Sequence, residues 1–178
     1  MVKPFEWNNW FDMWKLRACQ LAESDIVVDL SQQEPPNFGL LYDEINPTAY
    51  DIDLERIDEA YLKARGNFWL AWLGDQPTGY VGVQDMGDYV ELRHMYVRRE
   101  YRRHGIGTKL VRGLIDYCKK QQASPIKLWT ATEGKGRLLY EPLGFQQVEL
   151  SGDELNHSRA LDGEIRMLLK LEVEMPHD

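Results

Sequence analysis

Arginine, histidine and glycine fall together in Arg102-Arg103-His104-Gly105-Ile106-Gly107, between a strand-like segment, Tyr89 to Val97, and a helix-like one, Thr108 to Gln121. A chain that turns into a helix in this way leaves its first backbone N–H groups without intrahelical partners, at the end where the helix dipole is positive. Glycine removes the Cβ that would hold an anion away from the main chain. The chemistry on offer is the binding of a phosphate or diphosphate, so a diphosphate-bearing cofactor is the first expectation.

Two nucleotide-binding patterns do not fit. Gly105-Ile106-Gly107-Thr108-Lys109-Leu110 lacks the third glycine of a dinucleotide fingerprint, and no lysine stands where a Walker phosphate loop needs one. His94, His104, His157 and His177 are far apart and have no metal-ligand spacing, so no metal is expected. His104 reads most simply as a surface residue beside phosphates. A nucleophile with its own base cannot be picked out, though a triad assembled from distant segments stays open.

Charge is unevenly spread along a chain whose formal net charge is -8. Residues 41 to 60 hold Asp43, Glu44, Asp51, Asp53, Glu55, Asp58 and Glu59 against Arg56, whereas Arg93, Arg98, Arg99, Arg102, Arg103, Lys109 and Arg112 surround the glycine turn. One end suits a cationic substrate and the other an anionic cofactor, although an ordinary solvated surface is the alternative for the acidic run. The acidic balance argues against nucleic acid as a partner. No segment reads as a signal peptide or a membrane span, which points to a cytoplasmic protein with no membrane partner. Cys19 and Cys118 suggest reduced core thiols rather than a disulfide framework.

The elements that must position the turn follow from periodicity. With 178 residues and no break in composition, the chain reads as one domain over 1–178. Trp10, Met13, Trp14, Ala18 and Leu21 recur at helical spacing, residues 31 to 50 read as loop, and a helix capped by Asp53 would carry Leu54, Ile57, Tyr61 and Ala64. Residues 1–66 are thus expected to be helix and loop. Strands follow at about 68–73, 79–86 and 89–97, then the helix with Ile106, Leu110, Val111, Leu114, Ile115 and Cys118 on one stripe. A strand at Ile126 to Ala131, a short helix at about 134–141, and closing strands at Phe145 to Leu150 and Glu164 to Leu171 complete the reading. The helical crossover makes two strands parallel within an otherwise antiparallel sheet.

These residues resemble the GNAT family of N-acetyltransferases over roughly residues 67–150. Glu91-Leu92-Arg93-His94-Met95-Tyr96-Val97 is similar to the family's fourth strand, Arg102-Arg103-His104-Gly105-Ile106-Gly107 to its pyrophosphate motif, and Leu139-Tyr140-Glu141-Pro142-Leu143-Gly144-Phe145 to its L-Y-x-x-x-G-F signature. The resemblance implies an α/β fold of the α+β type. Its mixed sheet has about six or seven strands, mostly antiparallel with a central parallel pair, flanked by helices. Residues 1–66 would lie on the substrate side, 67–150 would form the acetyl-CoA-binding core, and 151–178 would close the sheet.

What the resemblance implies about residues is specific. Main-chain N–H groups from Arg103 through His104, Gly105, Ile106 and Gly107 to Thr108 would cradle the CoA pyrophosphate, with Arg102 and Arg103 adding charge. A bulge in the fourth strand would free the main chain of Met95 and Val97 for the pantetheine arm, the Met95 N–H meeting the thioester oxygen. Tyr140 matches the residue that gives a proton to the departing thiolate, and Glu91 is the candidate base for the attacking amine. Glu91 alternates with Val90 and Leu92, but which face opens on the cleft is not legible, and a salt bridge to Arg93 competes. At two positions the sequence departs from the family: Glu133 stands where an asparagine often contacts pantetheine, and Gly136 where alanine is usual.

The expected activity is therefore acetyl transfer from acetyl-CoA to a primary amine by direct attack, with a leaning towards a small cationic molecule. A CoA-binding module that has lost transfer activity and a protein lysine or N-terminal acetyltransferase are the alternatives. The resemblance also leaves a homodimer open.

Overall fold

A computed structural model of the chain describes residues 14–18, 26–27, 29–30, 54–132, 135–161 and 163–172. A seven-stranded sheet organises them, in the spatial order β1-β2-β3-β4-β5-β7-β6. The strands are β1 (Trp14–Ala18), β2 (Asn67–Leu73), β3 (Gln76–Asp85), β4 (Val90–Val97), β5 (Ile126–Ala131), β6 (Gln146–Val148) and β7 (Glu164–Leu169). Every neighbouring pair is antiparallel except β4 with β5, as a helical crossover between those strands requires.

That crossover is α2 (Ile106–Lys120), preceded in the chain by the short α1 (Ile57–Ala60). Its buried residues are Ile106, Leu110, Val111, Leu114, Ile115 and Cys118, the stripe expected from the 3.6-residue period. They pack with Val81, Val83, Val90, Leu92, Ile126, Leu128 and Met167 from one sheet face. The thiol of Cys118 is pushed up to about 12 by this burial, which makes it inert. A second cluster covers the other face, with Val27, Leu30, Leu54, Ile57 and Tyr61 packed against Phe68, Leu70 and Tyr80. Two further short helices, α3 (Lys135–Tyr140) and α4 (Ser158–Leu161), and several single 3-10 turns flank these layers less extensively. Among the described residues no helix is long and apolar enough to cross a membrane.

Two expectations are corrected. Residues 14–18 form a strand, not part of a helix, and pair with β2 in the register Trp14↔Leu73 to Ala18↔Trp69. Trp14 and Ala18 fit a helical spacing, but Trp14, Leu16 and Ala18 also alternate with Lys15 and Arg17. The open N–H and C=O groups on the β2 edge decide between the two periods. The helix expected over 53–64 is likewise shorter, a 3-10 turn at Leu54–Arg56 leading into α1. Leu54, Ile57 and Tyr61 are buried as expected, whereas Ala64 is exposed at φ 48, where the chain turns to enter β2. Asp53 and the loop over 31–50 lie outside the described residues.

Candidate functional site

The parallel pair is short. β4 and β5 are in register only at Val90↔Ile126 and Glu91↔Lys127, after which the strands part. The cause lies in β4 itself, where Tyr96 opposes Tyr80 but Arg93 opposes Gly82, so His94 and Met95 share the space of one residue of β3. His94 takes φ 52, a left-handed conformation uncommon for a residue with a side chain, as a bulge of this kind demands. A bulge increases local twist and turns the end of β4 out of line with β5.

Main-chain groups are thereby left facing the notch. Arg98 N donates to Thr78 O at 2.9 Å, so the next pair, Gly79↔Val97, is of the kind whose N–H and C=O point away from each other. Val97 therefore turns its main chain towards the notch, and the same alternation carries Met95 there. Arg102 Nε takes the Val97 carbonyl at 2.7 Å, and the Arg102 guanidinium lies 5.8 Å over the Tyr96 ring. Arg102 thus ties the glycine turn to the end of β4.

Beyond a 3-10 turn at Arg99–Tyr101, Arg103 at φ 66 and Gly105 at φ 79 reverse the chain into α2. Gly105 is the N-cap residue, no side chain caps the helix, and its first turn holds no acidic residue. The first helical bond runs from Lys109 N to Gly105 O at 2.9 Å. The N–H groups of Ile106, Gly107 and Thr108 thus precede the helical ladder and open beside the notch, with exposed Arg103 and half-buried His104 alongside. A Cβ on Gly107 would meet Leu139 at 3.5 Å and the Met95 Sδ at 3.8 Å, so the bulge, the start of α2 and α3 converge at this point.

Tyr140 ends α3 on the α2 side of the sheet. Its ring is 6% exposed and packs edge-on against Phe145 at 5.7 Å, and burial pushes its phenol well above the ordinary value. The structure explains Gly136: a Cβ there would fall 2.3 Å from the Thr130 Oγ1 of β5. Glycine lets α3 lie against the end of β5, which sets the position of Tyr140 one and a bit turns later. Glu133 lies outside the described residues.

Glu91 stands on the opposite face, at the last paired position before the strands part. It is 9% exposed, and although Arg93, the partner named as the alternative, has its Nε 3.9 Å from Oε1, the nearer cation is Arg166 of β7, whose Nη1 lies 2.7 Å from Oε2. Arg93 Nη1 instead donates to Gln84 Oε1 at 2.8 Å. Arg166 also reaches Glu154 through Nε at 3.2 Å, and Lys127 Nζ donates to the same Glu154 oxygen at 3.0 Å. Burial pushes the Glu154 carboxyl up, but the hydrogen bond from Lys127 and the charges of Lys127 and Arg166 outweigh it, and the net displacement is downward. Arg166, Glu154 and Lys127 were not singled out in the sequence. The signal available was an arginine between Ile165 and Met167 in a strand that is apolar from there to Leu169, but nothing local names its partners.

The site thus combines a helix N-terminus without a side-chain cap, a splayed parallel pair with main-chain groups turned into the notch, a buried phenol and an ion-paired carboxylate. A model of the acetyltransferase (GNAT) family matches residues 27–145, and the chain belongs to that family. Rat N-acetyltransferase 8F1 is 30% identical over 117 residues, 62% of this chain and 53% of its own length. The chain spans about half the length of the first curated relatives it matches. Among solved structures, a GNAT acetyltransferase from Staphylococcus aureus Mu50 superposes with a TM-score of 0.73 at 23% identity, covering 89% of this chain and 99% of its own. A Bacillus subtilis acetyltransferase in complex with CoA does so with a TM-score of 0.63 at 21% identity, covering 89% and 99%.

Proposed function

We propose that this chain moves an acetyl group from acetyl-CoA to the primary amine of a small molecule that arrives as a cation. The observation that carries the reading is the end of β4–β5 pairing at Glu91↔Lys127, beside the uncapped start of α2. The pyrophosphate lies against the N–H groups of Ile106, Gly107 and Thr108, with the Arg103 guanidinium nearby, and the pantetheine arm extends along the main chain of Met95 and Val97. The amine nitrogen attacks the thioester carbon, so a C–N bond forms and the C–S bond breaks. The Met95 N–H donates to the oxygen on which charge develops, and the Tyr140 hydroxyl gives its proton to the departing thiolate and regains one from the second proton that the acylated nitrogen loses. Glu91 accepts the ammonium proton, directly or through water, at Oε1, since Oε2 faces Arg166.

The acceptor class has two supports that pull apart. Asp58, exposed on α1, favours a cation, although Glu59 beside it is paired with Arg56 at 3.2 Å. Arg93, Lys127 and Arg166 outnumber Glu91 and Glu154 around the apex, which favours an amine that also carries a carboxylate. Calorimetry with acetyl-CoA, and release of CoA thiol over a panel of polyamines, amino acids and lysine peptides, tests both readings. Saturable binding with turnover on one acceptor class is expected. Absence of binding overturns the proposal, and binding without turnover on any amine supports a module that only holds the cofactor.

A further inference from the structure

Arg166 heads the fully buried side chains by volume and is 1% exposed, although arginine is among the residues least often found inside. It sits on β7 opposite Trp129 of β5, and its guanidinium crosses β5 to reach β4. Its Cζ lies 4.8 Å over the Trp129 ring and 5.4 Å over Tyr89, while His157 stacks on Trp129 at 5.0 Å. The carboxylates it joins come from separate places: Glu91 at the apex of the notch, and Glu154 in the 3-10 turn Gly152–Asn156 between β6 and β7. Arg93, Glu91, Arg166, Glu154 and Lys127 therefore form a row of alternating charge across three strands and one turn. A planar guanidinium can serve two carboxylates through different nitrogens, which a single ammonium cannot.

We infer that Arg166 is a positioning residue for acetyl transfer, which fixes the Glu91 carboxylate at the apex and ties it to the turn at 152–156. The inference rests on the function proposed above, in which Glu91 receives the amine proton. One residue then sets both the proton acceptor and the neighbouring border of the acceptor side, so loosening the turn changes how the amine is held without disturbing the CoA side. A purely structural ion pair predicts something else, a loss shared by both substrates.

Glu154→Gln keeps the shape of the turn and removes one of the two charges from Arg166, and Arg166→Lys keeps the charge but loses the fork. For each full-length variant, kcat, KM for the amine found in the panel, KM for acetyl-CoA and amide hydrogen exchange over 152–157 are measured. Glu154→Gln is expected to raise the amine KM about fivefold and speed exchange in the turn, with the acetyl-CoA KM held within about twofold. Arg166→Lys is expected to lower kcat about 100-fold, a loss typical of misplaced catalytic geometry. Unchanged amine KM and exchange in Glu154→Gln, or a parallel rise of both KM values, would overturn the inference, and that variant decides alone if Arg166→Lys does not fold. Should the wild-type chain turn over no amine, the acetyl-transfer reading fails by itself. Exchange in Glu91→Gln then decides the tie: faster exchange at 152–157 supports it and an unchanged rate removes it.

Discussion

Tyr140 and Glu91 approach the notch from opposite sides of the sheet, so the two proton transfers of the proposed mechanism would be separated in space. Burial raises the phenol of Tyr140 above its ordinary value, so the proton that the proposed mechanism gives to the thiolate is in place at neutral pH. Tyr140→Phe keeps the ring on Phe145 and removes only the hydroxyl. Turnover should fall about 100-fold, in the range typical of general acid catalysis, with the acetyl-CoA KM changed by less than about twofold. Steady-state kinetics on the accepted amine checks this, and an undiminished kcat would take Tyr140 out of the mechanism. The Tyr140 candidate was legible from its place in the Leu139–Phe145 signature, because that is a local pattern. The partners of Glu91 were not, because the ion pair joins strands that are distant in sequence and separated by β5.

At the scale of elements, the contact between α3 and β5 is the most exacting. Glycine in a helix costs roughly 1 kcal/mol relative to alanine, yet a Cβ on Gly136 would lie 2.3 Å from Thr130 Oγ1. The steric effect wins: Gly136→Ala should destabilise the fold by about 1–3 kcal/mol, as overpacking does, and shift Tyr140. Thr130→Ala removes the colliding oxygen and leaves Tyr140 Cε2 at 3.5 Å and the Thr130 Cβ at 3.6 Å, both ordinary contacts. The double variant Gly136→Ala/Thr130→Ala should therefore be more stable than the two single changes added together. Urea midpoints for the four chains measure that coupling, and strict additivity would show that the clash is relieved elsewhere.

For the whole molecule, acid stability should centre on Arg65 and Asp85, which join the entry to β2 to the end of β3. Arg65 donates to Asp85 through Nη2 at 2.6 Å and through Nε at 3.1 Å, and Arg65 Nη2 also donates to Gly87 O. The side-chain hydrogen bond from Arg65 holds the Asp85 carboxyl down at about 2, against the opposing effect of burial. A carboxyl depressed in the folded state stabilises above its unfolded value, and that contribution is lost as pH falls through the folded value. Stability should thus decline from about pH 4 to about pH 2 by roughly 1–2 kcal/mol after allowance for solvent screening. Asp85→Asn should be less stable than wild type at pH 7 and flatter across that window, as thermal unfolding at a series of pH values will show. Equal slopes would assign the acid sensitivity to other groups.

The amino-acid sequence by itself determined the glycine turn into α2, the α2 stripe, the succession of strands along the chain from 67 onward and the parallel pair, because each rests on local periodicity, glycine placement or a helical crossover. Tertiary structure decided what depends on pairing between distant segments. Residues 14–18 have both a helical and an alternating pattern, and only the open β2 edge selects the strand. Gly136 departs from the family's pattern until Thr130 is seen against it. The outward-alternating Glu91 could have met water, substrate or Arg93, and it meets Arg166 because β5 and β7 bring a buried cation across to the apex, where an unpartnered charge would be costly to bury.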